Sequence, residues 1–155
     1  MNARVMVDTN VFVYGEDGGA QPKQALARAV LGRVTGLRVA VTSSQVLGEY
    51  FVTLLRRFGE VFDIGEAQSR VAELRAAIDV IDTDADIVVQ ATEGVRRYGM
   101  HFYDAEIWAA AKAAGARVVL SEDFASGSEI EGVRFVNPFA EDFDLDRFAE
   151  TLLAD

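Results

Sequence analysis

Short apolar runs that alternate with longer amphipathic stretches are the feature that most restricts what this chain can fold into. Residues 5–7, 39–42, 118–120 and 133–136 read Val-Met-Val, Val-Ala-Val-Thr, Val-Val-Leu and Val-Arg-Phe-Val. Runs so short, with little polar alternation, are those of strands buried on both faces. Val80-Ile81-Asp82 is a further strand candidate. Between the strands, helical spacing recurs over 22–34 (Ala25, Leu26, Ala29, Val30, Arg33), 44–58 (Leu47, Tyr50, Phe51, Leu54, Phe58), 65–78 (Val71, Leu74, Ile78), 85–98 and 103–114, with a last helix over 144–153. This alternation predicts an α/β fold around a mainly parallel sheet with helices on both faces.

Local chemistry supports these bounds. Asp8 or Thr9 suits the cap of a helix after the first strand, Pro22 opens the next helix, and Ser43-Ser44 caps the long one. Gly36 and Gly59 stop helices, residues 15–19 and 127–132 read as loops, and Asn137-Pro138 closes the last strand. The 103–114 segment is rich in alanine, which suits close helix packing.

With 155 residues, half of them hydrophobic, the chain has the size of one domain and can bury a core without staples, so a single domain over 1–155 is expected. There is no cysteine, which excludes disulfides and thiolate metal sites; a bound metal must use oxygen ligands or the single histidine, His101. Met1-Asn2-Ala3-Arg4 leads straight into the first apolar run without the layout of a signal peptide, and no apolar stretch reaches the roughly 18 residues of a membrane span. An unexported, cytoplasmic protein with no membrane contact is expected.

A formal net charge of −10 argues at first against a nucleic-acid partner, because phosphate contacts call for a basic footprint. The distribution weakens that objection. Residues 1–117 carry 13 basic and 15 acidic side chains, whereas residues 118–155 carry 2 basic and 10 acidic, so the acidity belongs mostly to the tail. Thirteen of the fifteen bases are arginine, the side chain that grips phosphate bidentately. Either the tail lies away from a substrate path or arginines such as Arg28, Arg33, Arg56 and Arg57 serve it.

Open α/β sheets bind ligands beyond the carboxyl ends of their strands, so acids that end strands or open helices matter most. Asp8 ends the first strand and equally suits a helix N-cap. Asp104 opens the alanine-rich helix and, at about 100° per residue, shares a face with Ile107, Trp108 and Ala111, where a carboxylate is costly unless capped or paired. Glu49 lies about 60° beyond Val46, outside the apolar arc of its helix, and periodicity alone makes it a solvated residue. Asp123 sits in Ser121-Glu122-Asp123-Phe124, where turn chemistry favours an aspartate in any case; Glu122 could substitute for it or join it.

If the four acids converge, their repulsion is relieved only by bound cations or raised pKa values. Oxygen-only ligands favour Mg²⁺ or Mn²⁺. One such ion or two can bind a phosphoryl oxygen, generate hydroxide near neutral pH and stabilise a leaving oxygen, which suits phosphodiester hydrolysis. The sequence offers no cysteine nucleophile, no Walker-type glycine loop and no serine elbow. His101, three residues before Asp104, is a candidate substrate contact, although a lone histidine reads first as structural or solvated, and Trp108 and the phenylalanines read as core or interface residues.

In order along the chain, Val-Met-Val-Asp8-Thr9-Asn10, Ser43-Ser44-Gln45-Val46-Leu47-Gly48-Glu49, Phe102-Tyr103-Asp104-Ala105 and Leu120-Ser121-Glu122-Asp123-Phe124 resemble the PIN-domain ribonucleases, and Val133-Arg134-Phe135-Val136-Asn137-Pro138-Phe139 extends the match. The resemblance implies a flavodoxin-like α/β/α three-layer sandwich with an acidic Mg²⁺ or Mn²⁺ site at one edge of the sheet. It implies that Asp8, Glu49, Asp104 and Asp123 are the catalytic, metal-holding acids, and that Thr9, Asn10 and Ser121 support them, with Glu122 beside them. The compact size and the Ser-Glu-Asp-Phe and Asn-Pro-Phe blocks look most like VapC-type toxins, which implies an RNA substrate, a homodimer and a VapB-type antitoxin as partner. Residues 15–21 and 58–64 are the loops in which substrate choice would reside.

Other functions fit less well. A phosphatase of the haloacid dehalogenase type needs a second aspartate where Asn10 stands, and a receiver domain needs a late lysine, whereas Lys112 lies inside a helix. A non-catalytic PIN-like module that binds protein or RNA is the main alternative of a different class.

Overall fold

The computed structural model describes residues 3–154; Met1-Asn2, expected to lead directly into the first strand, lies outside them. The strands are β1 (Arg4–Val7), β2 (Ala40–Ser43), β3 (Asp79–Ile81), β4 (Ala116–Leu120), β5 (Glu129–Ile130) and β6 (Val133–Val136). The helices are α1 (Thr9–Glu16), α2 (Lys23–Gly36), α3 (Ser44–Arg57), α4 (Ile64–Ala77), α5 (Ala85–Tyr98), α6 (Phe102–Ala113) and α7 (Leu145–Ala154). One sheet runs β3-β2-β1-β4-β6-β5, parallel except for β5.

Val5, Met6 and Val7 of β1 and Val119 and Leu120 of β4 are wholly buried, as the unbroken apolar runs require of strands covered on both faces. Helices α5 and α6 pack together, α1 packs against both α2 and α3, α3 against α4, and α7 meets α2, which gives the three-layer α/β/α sandwich. The alanines of α6 let it approach α5 so closely that a Cβ on Gly94 would stand 2.9 Å from Cζ3 of Trp108. The Trp108 indole N–H donates to the carbonyl of Ile130 at 3.1 Å, so this large ring is buried without an unpaired donor.

Three expectations are corrected. The apolar face of α2 is Ala27, Val30 and Val34, not Ala25, Leu26 and Ala29; small apolar residues surround this helix, and the sheet beneath it decides which side is buried. The 127–132 loop contains β5, paired to β6 across Glu131 and Gly132, whose φ values of 49° and 81° form a tight hairpin. Strand β2 begins one residue later than the apolar run.

The topology creates the functional edge. From β1 the chain steps to β2 and β3 on one side and returns through β4 on the other. The carboxyl ends of β1 and β4 therefore diverge into a crevice at the switch point of the sheet, where ligands of open α/β folds bind.

Candidate functional site

Each of the four acids is brought to this crevice by its element. Asp8 follows β1 and is the N-cap of α1, its Oδ1 accepting the Thr9 N–H at 2.7 Å. The capping expectation is therefore met, yet the cap leaves Oδ2 free to accept the Ser121 hydroxyl at 2.7 Å. Glu49 lies in the second turn of α3, which Ser43 caps through the Val46 N–H. Asp104 lies in the first turn of α6, and Asp123 follows β4.

Asp8, Thr9, Asn10, Glu49, Asp104 and Asp123 line one cleft of about 330 Å³. Supporting side chains knit them together. The buried Ser121 hydroxyl, which donates to Asp8, accepts from Asn10 Nδ2 and from the Asp123 N–H, both at 3.1 Å. Asn10 Nδ2 also donates to Asp123 Oδ2 at 3.2 Å. The Thr9 hydroxyl donates to Glu49 Oε2 at 2.8 Å and Gln45 Nε2 to Glu49 Oε1 at 2.9 Å. Glu49 is thus turned from α3 toward the end of β1 rather than into open solvent, contrary to what periodicity alone gives.

Glu122 is not brought into the cleft. Its carboxylate accepts from the Tyr14 hydroxyl and from Lys23, each at 2.9 Å, and Lys23 also stands over the Tyr14 ring. Only the Glu122 backbone N–H joins the site, through Asn10 Oδ1 at 3.3 Å. This latch separates the directions of Glu122 and Asp123.

The electrostatics are those of crowded acids. Burial, with Asp8 only 5% exposed, pushes its pKa from 3.8 to about 6; hydrogen bonds from Ser121 and Thr9 work against this rise, and the charges of Asp123 and Glu49 add to it. Asp104 is also raised, first by burial and then by Asp123, with His101 opposing and Glu49 adding. Glu106 of α6 is buried and raised by burial and by Glu49. Sequence reasoning passed over Glu106, although it is the one charge in the apolar run Ala105–Ala111.

The remaining walls were only partly foreseen. Gln45, Thr53, Arg56 and Arg57 of α3 form one, and His101, Tyr103 and Ile107 at the start of α6 contribute to the other. Among the described residues, none of 15–21 or 58–64, the loops in which substrate choice is expected to reside, lines the cleft, whose walls come from α3 and from α6 with its N-cap. Of the four arginines considered, Arg28 donates to the Gly15 carbonyl and Arg33 pairs with Asp146; only Arg56 and Arg57 reach the cleft.

The donor set fits a hard divalent cation: the lining acids are all oxygen donors, and the charges of Asp123 and Glu49 raise the proton affinity of Asp8 and Asp104, a repulsion that a cation would relieve. Among the described residues, no three acidic, histidine or cysteine side chains already stand as a formed metal cage.

A PIN-domain family model matches residues 5–125. The chain belongs to the PIN-domain family. Among solved structures, this PIN domain is similar to a sarcin–ricin-loop-cleaving VapC toxin from Mycobacterium tuberculosis, with 26% identity over 84% of this chain and 98% of that one and a TM-score of 0.62. It is also similar in fold to a toxin–antitoxin complex from Klebsiella pneumoniae (17% identity, 87% and 98% covered, TM-score 0.63). A DNA-bound VapBC from Salmonella typhimurium gives 19% identity, 86% and 96% covered, and a TM-score of 0.61. No curated protein matches the sequence. Among the described residues, no helix of this PIN domain is long and apolar enough to cross a membrane.

Proposed function

We propose that this chain, acting as one domain over 1–155, is a metal-dependent endoribonuclease and the toxin of a toxin–antitoxin pair. The observation that carries the proposal is the convergence of Asp8, Glu49, Asp104 and Asp123 on one cleft at the switch point of a PIN-domain sheet. Likeness to a VapC toxin that cleaves the sarcin–ricin loop supports RNA as the substrate class. The VapBC complexes among its structural neighbours support a VapB-type antitoxin. A homodimer working in the cytoplasm completes the proposal.

Asp8, Glu49, Asp104 and Asp123 would hold Mg²⁺ or Mn²⁺. When bound, the ion would polarise the scissile phosphate and neutralise developing charge. The chain's own residues do the rest. Ser121 and Asn10 fix Asp8 and Asp123 relative to each other, while Thr9 and Gln45 hold Glu49 in place. The Asp104 carboxylate has no hydrogen-bond partner among the described residues, which leaves its oxygens open to the cation and to the attacking water, whose proton it would take. The water oxygen bonds to phosphorus as the bond to the leaving oxygen breaks, and the leaving oxygen takes up a proton from solvent.

A non-catalytic protein- or RNA-binding module is favoured by one observation, the lack of a formed cage among the described residues. Against it, a binding module has no physical need for a cluster of mutually repelling acids. Expression of the chain alone tests the toxin proposal. Growth arrest that Asp104→Ala relieves, and that a co-expressed small partner encoded beside it suppresses, is the expected result; equal arrest by both chains refutes a catalytic toxin.

A further inference from the structure

The two walls of the acidic cleft differ in chemistry. On the α3 wall stand two arginines. Arg57 is held by Asp17 at 3.2 Å and lies 5.4 Å from the centre of the Phe58 ring. Arg56 is exposed and, among the described residues, has no carboxylate partner. On the α6 wall stand His101 and Tyr103, with ring centres 6.1 Å apart and planes tilted by 39°. Phe102 braces the Tyr103 ring edge-on at 5.4 Å. Tyr103 is nevertheless 58% exposed, a large aromatic ring left facing the opening of a polar cleft.

We propose that this cleft takes an unstacked nucleotide of a single-stranded RNA segment, with its base on the Tyr103–His101 edge and an adjoining phosphate on Arg56. The proposal rests on the ribonuclease assignment for the choice of RNA. Charge dictates the role of Arg56: in a chain of net −10, an unpartnered guanidinium beside four carboxylates is where a polyanion gains attraction instead of repulsion. Shape dictates the role of Tyr103: bases inside a duplex keep their faces covered, so only a base out of the stack can lie on an exposed ring. With base and phosphate held on opposite walls, the phosphodiester crosses the carboxylate floor. Stacking is tolerant of base identity, so these residues select single-stranded over duplex RNA rather than one base over another.

The test is fluorescence anisotropy with a short fluorescein-labelled single-stranded RNA, alone and annealed to its complement, in Mg²⁺. An Asp8→Asn background keeps the bound RNA intact. The single strand is expected to bind and the duplex to bind at least tenfold more weakly. Tyr103→Ala weakens single-strand binding by about 5- to 100-fold and Tyr103→Phe restores it. Arg56→Ala weakens binding and lowers its salt-dependence slope by about one. Neither exposed substitution shifts Tm. Equal binding of single strand and duplex, or unchanged affinity in Tyr103→Ala, overturns the proposal. If wild-type protein cuts RNA while Tyr103→Ala binds as before, the nucleotide seat fails and the nuclease stands. If Tyr103 and Arg56 govern binding but wild-type protein never cuts with Mg²⁺ or Mn²⁺, the seat stands and the nuclease fails.

Discussion

Asp8→Asn should stabilise the metal-free protein, although it removes a residue central to the site. The rise of the Asp8 pKa from 3.8 to about 6 corresponds to about 3 kcal/mol by which folding disfavours the ionised carboxyl. An asparagine removes the charge but keeps an oxygen for the Thr9 N–H. Its new amide donor meets Ser121 Oγ, which already accepts from Asn10 and from the Asp123 N–H, so about 1 kcal/mol is forfeited for one mismatched hydrogen bond. The net gain is about 2 kcal/mol, or about 4–8 °C in Tm for a chain of this size. The pH dependence follows from the raised value. Below about 3.8 the carboxyl is neutral in both folded and unfolded chains and carries no penalty; the penalty grows between 3.8 and about 6 and is complete above it. Thermal melts of both proteins in EDTA across this range test the reasoning. Asp8→Asn should melt higher above about pH 6, with the advantage shrinking toward pH 4. Mg²⁺ should raise the Tm of the wild type more than that of the variant. A variant that melts at or below the wild type at every pH refutes the electrostatic account.

Asp104→Asn and Glu49→Gln should each reduce metal-dependent RNA cleavage at least about 100-fold, on the scale of the several kcal/mol that a bound cation supplies, with melting curves showing intact folding. Ser121→Ala removes the donor to Asp8 and the acceptor of two N–H groups; a loss of about 1–3 kcal/mol in urea unfolding and a drop in cleavage are expected. Gly94→Ala forces a methyl against the buried Trp108 ring, 2.9 Å from Cζ3, and should cost about 1–3 kcal/mol while leaving the cleavage rate per folded molecule unchanged.

How much of this was legible depended on whether the signal was local. Helix α5 was bounded as observed, Ala85–Tyr98, because both ends carry their own chemistry: Asp84 caps the Ile87 N–H, and Gly99 takes φ 64°. The buried face of α2 was missed because apolar residues lie all round it and only the sheet chooses among them. Strand β5 was missed because its hairpin turn uses Glu131-Gly132 rather than the Asn-Gly or Asp-Gly pair that announces such turns. At the site, Asp8 and Asp104 stood out as acids at strand ends and helix starts. Periodicity made Glu49 a solvated residue and only the motif resemblance picked it out, because its orientation toward Thr9 depends on where β1 ends, forty residues away in sequence. Turn chemistry could not separate Glu122 from Asp123, which only the resemblance did, since the latch through Tyr14 and Lys23 is long-range. Arg56, His101 and Tyr103 became neighbours of one cleft only when α3 and α6 were brought to the same edge of the sheet.

The most direct measurement of the central claim is cleavage of total RNA and of single-stranded oligonucleotides by purified, antitoxin-free protein with Mg²⁺, Mn²⁺ or EDTA, beside Asp8→Ala. Fragmentation that needs the divalent ion and disappears in the variant is the predicted result. Cleavage that persists in EDTA or in well-folded Asp8→Ala, or no cleavage by the folded wild type under any of these conditions, contradicts the assignment of the four acids as a metal-dependent ribonuclease site.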